Sequence, residues 1–361
     1  AAAGISAAIT AIDGGTGSDT LVVYSKASGS LANVEAVENI TVNVVGLTGT
    51  TSTVTIAGAS KGANDASLVT LTGGLAGNTT DFAGTITDHA VTIDGTNFVG
   101  NMKLTFGDDA LIQTNLADPI TIKGGSGTKD TVTVSQSNSN TGDFTMTGIE
   151  TLVFGNDTGA STLSLTNVSG LSTIVLTDDG GAAGDVSITT YTDQMIALGV
   201  TGGAGYDNAT VTVAKTAMTG TADVVNFTAA ETDETTNAVT LAVDGFETVN
   251  LALANDAAAG TGDDHKIAIT NTNTNAVTLN VTGTDTLADL TLSGLADSIT
   301  TIAAGGVAGS ITMAARSSTD AMTITTGAGN DTVLMKNAND VLDGGTKAVT
   351  GDTGTLTISA A

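Results

Sequence analysis

TGAGNDTVLMKNANDVLDGG, residues 326–345, is the stretch on which the reading of this chain turns. It sets Asp331 and Asp340 nine residues apart (340 − 331 = 9), each followed by β-branched and aliphatic residues: Thr332, Val333 and Leu334 after the first, Val341 and Leu342 after the second. A nine-residue beat of Gly, Asn or Asp, Asp and then aliphatic residues is the pattern of the nonapeptide calcium repeat, in which a turn wraps the ion and a short strand follows. Three more Gly-rich turns lie upstream, at Asp13-Gly14-Gly15-Thr16-Gly17-Ser18-Asp19, Gly124-Gly125-Ser126-Gly127-Thr128-Lys129-Asp130 and Gly202-Gly203-Ala204-Gly205-Tyr206-Asp207.

The residue types suit that ion. Calcium takes six to eight hard oxygens, from carboxylates and backbone carbonyls together. Glycine lets the chain curl so that successive carbonyls point inward, and Asp brings charge on a short side chain. The isolated copies are less regular than the tandem one. The second carries an extra residue before Asp130, and Tyr206 stands where Asn or Asp is usual. A Gly-rich turn between strands also reads as an ordinary tight hairpin.

Ten Lys+Arg against 37 Asp+Glu leave a net charge of −27 over 361 residues. Most of the acids are Asp, the turn former, and few are Glu, the helix former. One arginine, Arg316, gives no basic patch for phosphate, so nucleic acid is excluded as a partner. Self-repulsion on this scale makes bound cations an expected part of the folded state. There is no cysteine, so the protein stays inside the cell or leaves by a route that does without disulfides. No run of 18 uncharged apolar residues exists, and no membrane span is expected. The chain opens at Ala1 without an initiator Met or signal-like segment, as expected of a processed or truncated portion of something longer.

Short aliphatic clusters recur throughout. From Ala276 onward they fall at Leu279, Leu290, Ile302, Ile311, Met322 and Val333, in steps of 9 to 12 residues. Alternation within each cluster indicates strands, and a fixed step between clusters indicates a solenoid with one strand and turn per coil of about 11 residues. The fold expected is all-β: parallel β-roll or β-helix-like solenoid subdomains with calcium turns, elongated by repetition. An antiparallel sandwich is the rival. A second repeat reads Asn33-Val34-Glu35-Ala36-Val37, Gly148-Ile149-Glu150-Thr151-Leu152 and Gly245-Phe246-Glu247-Thr248-Val249. Its glutamate either completes a calcium site or opens a strand by satisfying backbone donors at the coil edge. The repeats divide the chain into modules at 1–118, 119–198, 199–318, with a long surface loop at 221–240, and 319–361 with the tandem repeat.

Nothing in the sequence assembles a catalytic site, and no enzyme activity is expected. His89 and His265 lie in no hydrolase signature and read as solvated. There is no GxSxG elbow, no GK[ST] phosphate loop and no thiol nucleophile. Acidic pairs such as Asp108-Asp109 and Asp263-Asp264 sit in Gly-rich turns, and Tyr24, Tyr191 and Tyr206 form no sugar platform.

The GGTGSDTL, GGSGTKDTV, GGAGYD and GAGNDTVL turns, with the GIETL and GFETV segments downstream of two of them, resemble the calcium-repeat (RTX) surface-layer proteins of Gram-negative bacteria. The likeness in composition and module order covers most of the chain, and the motifs themselves about a fifth of it. It implies a structural S-layer protein, exported by type I secretion without a cleaved N-terminal signal. Its calcium-mediated contacts with other copies of itself build a lattice at the cell surface, and regions outside this chain hold cell-surface polysaccharide. The metal ligands it implies are Asp13, Asp19, Asp130, Asp207, Asp331, Asp340 and Asp343, with Gly14, Gly125, Gly203 and Gly327 and with Asn330 and Asn339 beside them. The sequence departs from the family in having few tandem repeats and no apparent N-terminal anchoring region. Two other readings share the coils: an RTX adhesin or stalk that recognises a ligand at a tip such as 221–240, and the calcium-roll tail of a hydrolase whose catalytic domain this chain does not contain.

Overall fold

The computed structural model describes residues 12–25, 29–31, 34–45, 51–56, 68–84, 92–106, 120–136, 144–156, 161–165, 167–178, 186–189, 197–202, 210–214, 222–229, 239–253, 265–272, 275–284, 289–314, 320–335, 337–344 and 357–360. Its strands pair in parallel, and no helix occurs among the described residues, so the chain is a parallel β-solenoid rather than an antiparallel sandwich. It divides into two compact units, the first comprising residues 1–155 and 166–172 and the second residues 156–165 and 173–361.

In the first unit one sheet runs through Thr20–Ser25, Asn39–Val44, Leu68–Gly73, Thr92–Phe98, Thr121–Lys123, Thr145–Thr147 and Val168–Ser169. Its other face runs through Gly29–Leu31, Thr51–Ile56, Thr79–Gly84, Asn101–Phe106, Thr131–Gln136 and Thr151–Asn156. Consecutive strands alternate between the two sheets. Each eleven-residue step of the sequence is therefore half a coil, not a whole one. The second unit repeats the plan, with Val224–Ala229, Thr248–Leu253, Val277–Gly283, Ile299–Val307, Thr323–Thr325 and Val341–Asp343 on one sheet and Val239–Asp244, His265–Thr270, Leu290–Ser293, Ile311–Met313 and Thr332–Met335 among the strands of the other. A coil varies from eighteen residues, where Thr323 faces Val341 (341 − 323 = 18), to thirty, where Thr248 faces Thr278 (278 − 248 = 30).

Period-two patterning places each side chain. In Asn39–Val44 and Thr248–Leu253 every second residue is buried, which sends Ile40, Val42 and Val44, or Val249, Leu251 and Leu253, inward. Phe82 and Phe98 meet edge to face across the first unit, ring centres 5.5 Å apart at 76°, both fully buried. Threonine dominates the outward positions because a β-branched side chain packs well on a pleated surface while its hydroxyl stays wet. Facing charges pair across adjacent strands: Lys103 Nζ lies 3.4 Å from Asp81, and Lys123 Nζ 3.1 Å from Asp94.

Two expectations need correction. The interval 221–240 is not one long loop, because Val224–Ala229 is a strand with Val225, Phe227 and Ala229 buried. His265 is not solvated: it opens the strand His265–Thr270 at 1% exposure.

Candidate metal centre

The Gly124–Asp130 turn carries the chain from Thr121–Lys123 on one sheet to Thr131–Gln136 on the other. Asp130, fully buried, organises it. Its Oδ1 accepts the Met102 amide of the preceding coil and its Oδ2 the Gly125 amide of its own turn, each at 2.8 Å. Its own amide donates to Glu150 Oε2 of the following coil at 2.7 Å, and its carbonyl accepts the Glu150 and Thr151 amides. Glycines let the coils stack this closely. A side chain on Gly124 would collide with the Gly148 carbonyl, and one on Gly125 with the Phe98 carbonyl.

At Gly127 the arrangement gathers oxygen. The point where a Cβ would stand lies 2.6 Å from Asp130 Oδ1, 2.6 Å from the Gly100 carbonyl and 2.9 Å from Asn101 Oδ1. Two coils thus bring a carboxylate, a carbonyl and a side-chain amide oxygen near one point, oxygen types that suit a hard cation, although Asp130 Oδ1 accepts the Met102 amide and Asn101 Oδ1 the Thr128 amide at 3.3 Å. Among the described residues no three acidic or histidine side chains surround a common point. An ion held here would draw on carbonyls as much as on carboxylates. Gly100 and Asn101 were missed in the sequence because Gly100 lies in the two-residue link Val99–Gly100, without the Gly-Gly pattern, and Asn101 opens the strand after it.

Burial pushes the Asp130 carboxyl up from the usual range, against the amides of Met102 and Gly125. Glu150 is also raised, by burial first and by the Asp130 charge as well. Two neighbouring acids that resist ionisation are an environment a cation would relieve.

The Asp13–Asp19 turn follows the same plan with different detail. Asp13 Oδ1 accepts the Gly15 amide at 2.9 Å within the turn, and the Gly14 amide donates to the Glu35 carbonyl at 3.0 Å. The Asp19 amide donates to a glutamate of the next coil, but to Glu38 Oε2, at 2.7 Å, and not to Glu35. The glutamate slot of the second repeat is therefore Glu38, Glu150 and Glu247. In all three the carboxylate accepts the amide of an aspartate one coil earlier, so the glutamate closes a strand ladder. Ala36 occupies the corner position of Gly148 and Gly245, with φ of 51° beside their 67° and 85°. Asp19 Oδ2 is a buried oxygen with no hydrogen-bond partner, which leaves it available to a cation. The third glutamate revealed an unforeseen corner: Glu247 Oε2 accepts the Asp223 amide at 3.1 Å, and the sequence before Asp223 carries no Gly-rich run.

Asp331 and Asp340 are not brought to one place. Asp331 precedes Thr332–Met335 on one sheet, and Asp340 precedes Val341–Asp343 on the other, so the nine-residue beat sends them to opposite corners of the coil. Asp331 Oδ1 accepts the Ile311 amide at 2.9 Å, and burial raises its carboxyl against the Thr326 hydroxyl and that amide. Asp340 accepts the Met322 and Asn337 amides at 2.9 and 3.1 Å. A side chain on Gly327 would collide with the Val307 carbonyl of the coil below. The Asn330 amide reaches Ser310 Oγ at 3.3 Å, the Asn339 amide reaches Asn337 Oδ1 at 2.9 Å, and the Asp343 carbonyl accepts the Thr326 amide at 2.9 Å. Gly203 and Asp207 lie outside the described residues.

Compared with protein-family models, curated proteins and solved structures, the chain matches none of them.

Proposed function

We propose that this chain is a structural protein of a bacterial surface layer, a calcium-bound β-solenoid whose copies associate into a two-dimensional lattice outside the cell. The observation that carries the reading is the gathering of the Asp130, Gly100 and Asn101 oxygens from two successive coils beside Gly127, in a chain of net charge −27. Asp130 Oδ1, Asn101 Oδ1 and the Gly100 carbonyl would hold the ion at that corner, and Asp19 Oδ2 would contribute at the first. Bound there, calcium neutralises charge and locks two coils together. A solenoid built by repetition, with small outward side chains, suits a structural role rather than a catalytic one.

The same ion accounts for assembly. Two copies meeting edge to edge bring like charges together at a cost of several kcal/mol. Monovalent salt screens that repulsion over a Debye length of about 8 Å but cannot bridge carboxylates of two chains. Calcium does both, whereas magnesium holds its waters and demands a tighter octahedron. Light scattering and negative-stain microscopy across a calcium titration, with magnesium at equal ionic strength as control, test the reading. Ordered sheets in calcium alone are expected. Copies that stay separate at about millimolar calcium, or assemble equally in magnesium, would remove the lattice and favour an adhesin stalk.

A further inference from the structure

Successive strands of the second unit turn an uncharged face outward. Val224–Ala229, Thr248–Leu253, Val277–Gly283, Ile299–Val307 and Thr323–Thr325 read VVNFTA, TVNLAL, VTLNVTG, ITTIAAGGV and TIT, without an Asp, Glu, Lys or Arg among them. Parallel register lines their outward positions up in rows. Thr248, Thr278, Thr301 and Thr323 form one row, and Asn226, Asn250 and Asn280 begin the next, all of them exposed or half-exposed. The asparagines are tied to one another: Asn250 Nδ2 donates to Asn226 Oδ1 and Asn280 Nδ2 to Asn250 Oδ1, both at 2.7 Å. Beneath them Val225, Phe227, Leu251 and Leu279 are at most 3% exposed, so a packed core backs the face.

Elsewhere the sheets carry charge. The other sheet of this unit bears Asp244 and Lys266, and the sheets of the first unit bear Asp81 with Lys103 and Asp94 with Lys123. In a chain of net charge −27, copies that meet on acidic surface repel. The threonine and asparagine rows are free of that penalty. Parallel in-register strands with an asparagine ladder, no charge and no proline are the features of a face that mates with an identical face, side chains interdigitating between sheets about 10 Å apart.

We propose that this face docks on the same face of a second copy, a two-fold contact that forms without calcium. It rests on the reading that copies of the chain associate, and adds a contact that no ion gates. Five strands about 4.8 Å apart, with three outward positions about 6.7 Å apart on each, cover roughly 500 Å² per copy, at the lower end of specific interfaces. Such a contact is weak in dilute solution and counts where copies are crowded.

Sedimentation of the full chain in EGTA tests it. A reversible dimer is expected as the concentration rises toward about millimolar, and monovalent salt should strengthen it by screening the charge around the face. Thr278→Asp sets a carboxylate against its own copy and should weaken association about tenfold or more. Thr291→Asp, on the other sheet, should leave it unchanged, with melting curves to show that both variants fold. The chain has no cysteine, so Thr278→Cys takes a single spin label. Label pairs in EGTA should report stacked sheets, a separation of about 10 Å plus the label arms. A chain that stays monomeric in EGTA overturns the proposal, and sheets that it then forms in calcium leave the lattice reading standing. A dimer that Thr278→Asp does not weaken overturns it as well. A dimer that Thr278→Asp breaks upholds it, even where no sheets form in calcium and the lattice reading alone fails.

Discussion

The corner at Asp130 and the corner at Asp223 make the same backbone bonds and share a left-handed glycine two residues before the glutamate, but differ in the sequence that leads into the aspartate. In each, the aspartate amide donates to a glutamate of the next coil, and the aspartate carbonyl accepts two amides from that coil. Around Asp130 a glycine turn packs against the neighbouring coils' carbonyls and leaves three oxygens facing Gly127. The sequence before Asp223 carries no Gly-rich run, and Glu247 accepts the Asn275 side-chain amide. The Asp–Glu clamp is thus a general way of closing a coil, and the glycine turn is a second device laid over it.

The strongest test of that separation adds a methyl group. Gly124→Ala drives a Cβ into the Gly148 carbonyl, where only backbone can give way. It should destabilise the first unit by ~3 kcal/mol or more, at the upper end of overpacking costs. Gly15→Ala, in the sister turn, meets nothing within 4 Å and pays only for its φ of 83°, about 1–2 kcal/mol. Urea midpoints with unchanged slope would measure both, and equal losses would mean that close stacking of the glycine turn is not what holds the corner.

Next is the clamp itself. Glu38→Ala leaves the Asp19 amide without its acceptor and should cost about 1–3 kcal/mol. Glu35→Ala should cost less. The reverse order would restore Glu35 to the slot. The ambiguity is instructive. Val34-Glu35-Ala36-Val37-Glu38 offers two glutamates, and the glycine that marks the corner elsewhere is here an alanine. Pattern alone chose the wrong one. Alternation made the strands legible, because one buried face per strand imposes period two, and the regular step between clusters pointed to a solenoid; only the parallel pairing set the sandwich aside. Coil length was not legible, since strands of the two sheets carry the same alternation and only pairing tells them apart. Asp223 and the strand after it were hidden for a related reason: the glycines that announce other corners are missing there, and Asn226 and Thr228 make Val224–Ala229 look like loop.

A smaller effect separates the two carboxylate environments by pH. Asp130, Glu150 and Asp331 have raised values in the metal-free fold, so their penalty is present at neutrality and is relieved as pH falls through the folded values toward the ordinary ones. Asp94 is lowered, chiefly by the Thr96 hydroxyl and also by Lys123, so its contribution is present above the ordinary value and lost as pH falls through the folded one. Metal-free protein should therefore rise in Tm as these acids protonate on acidification from neutrality, and lose the Asp94 contribution only below its ordinary value of about 4. With calcium bound, the sign between neutrality and that point reverses, because the ion needs the ionised acids. Parallel melting curves in EGTA and calcium that failed to diverge would show that these acids do not serve the ion.

The smallest expected effect is a gain. Ala36 is the one non-glycine residue with positive φ among the described residues, at a corner where the matching clamps carry Gly148 and Gly245. A Cβ in the left-handed region crowds the following carbonyl, a strain of about 1–2 kcal/mol. Replacing it with glycine removes that strain but gives the unfolded chain more freedom to lose, which costs about 0.5–1 kcal/mol. The difference predicts that Ala36→Gly stabilises the first unit by about 0.5–1 kcal/mol. The same change at Ala76, in the exposed Leu75–Gly77 turn, has no positive φ to relieve and should be neutral or destabilising. If Ala36→Gly also destabilises, Ala36 is not strained in the way the clamp geometry requires, and the equivalence of the Glu38 corner with the corners of Glu150 and Glu247 fails.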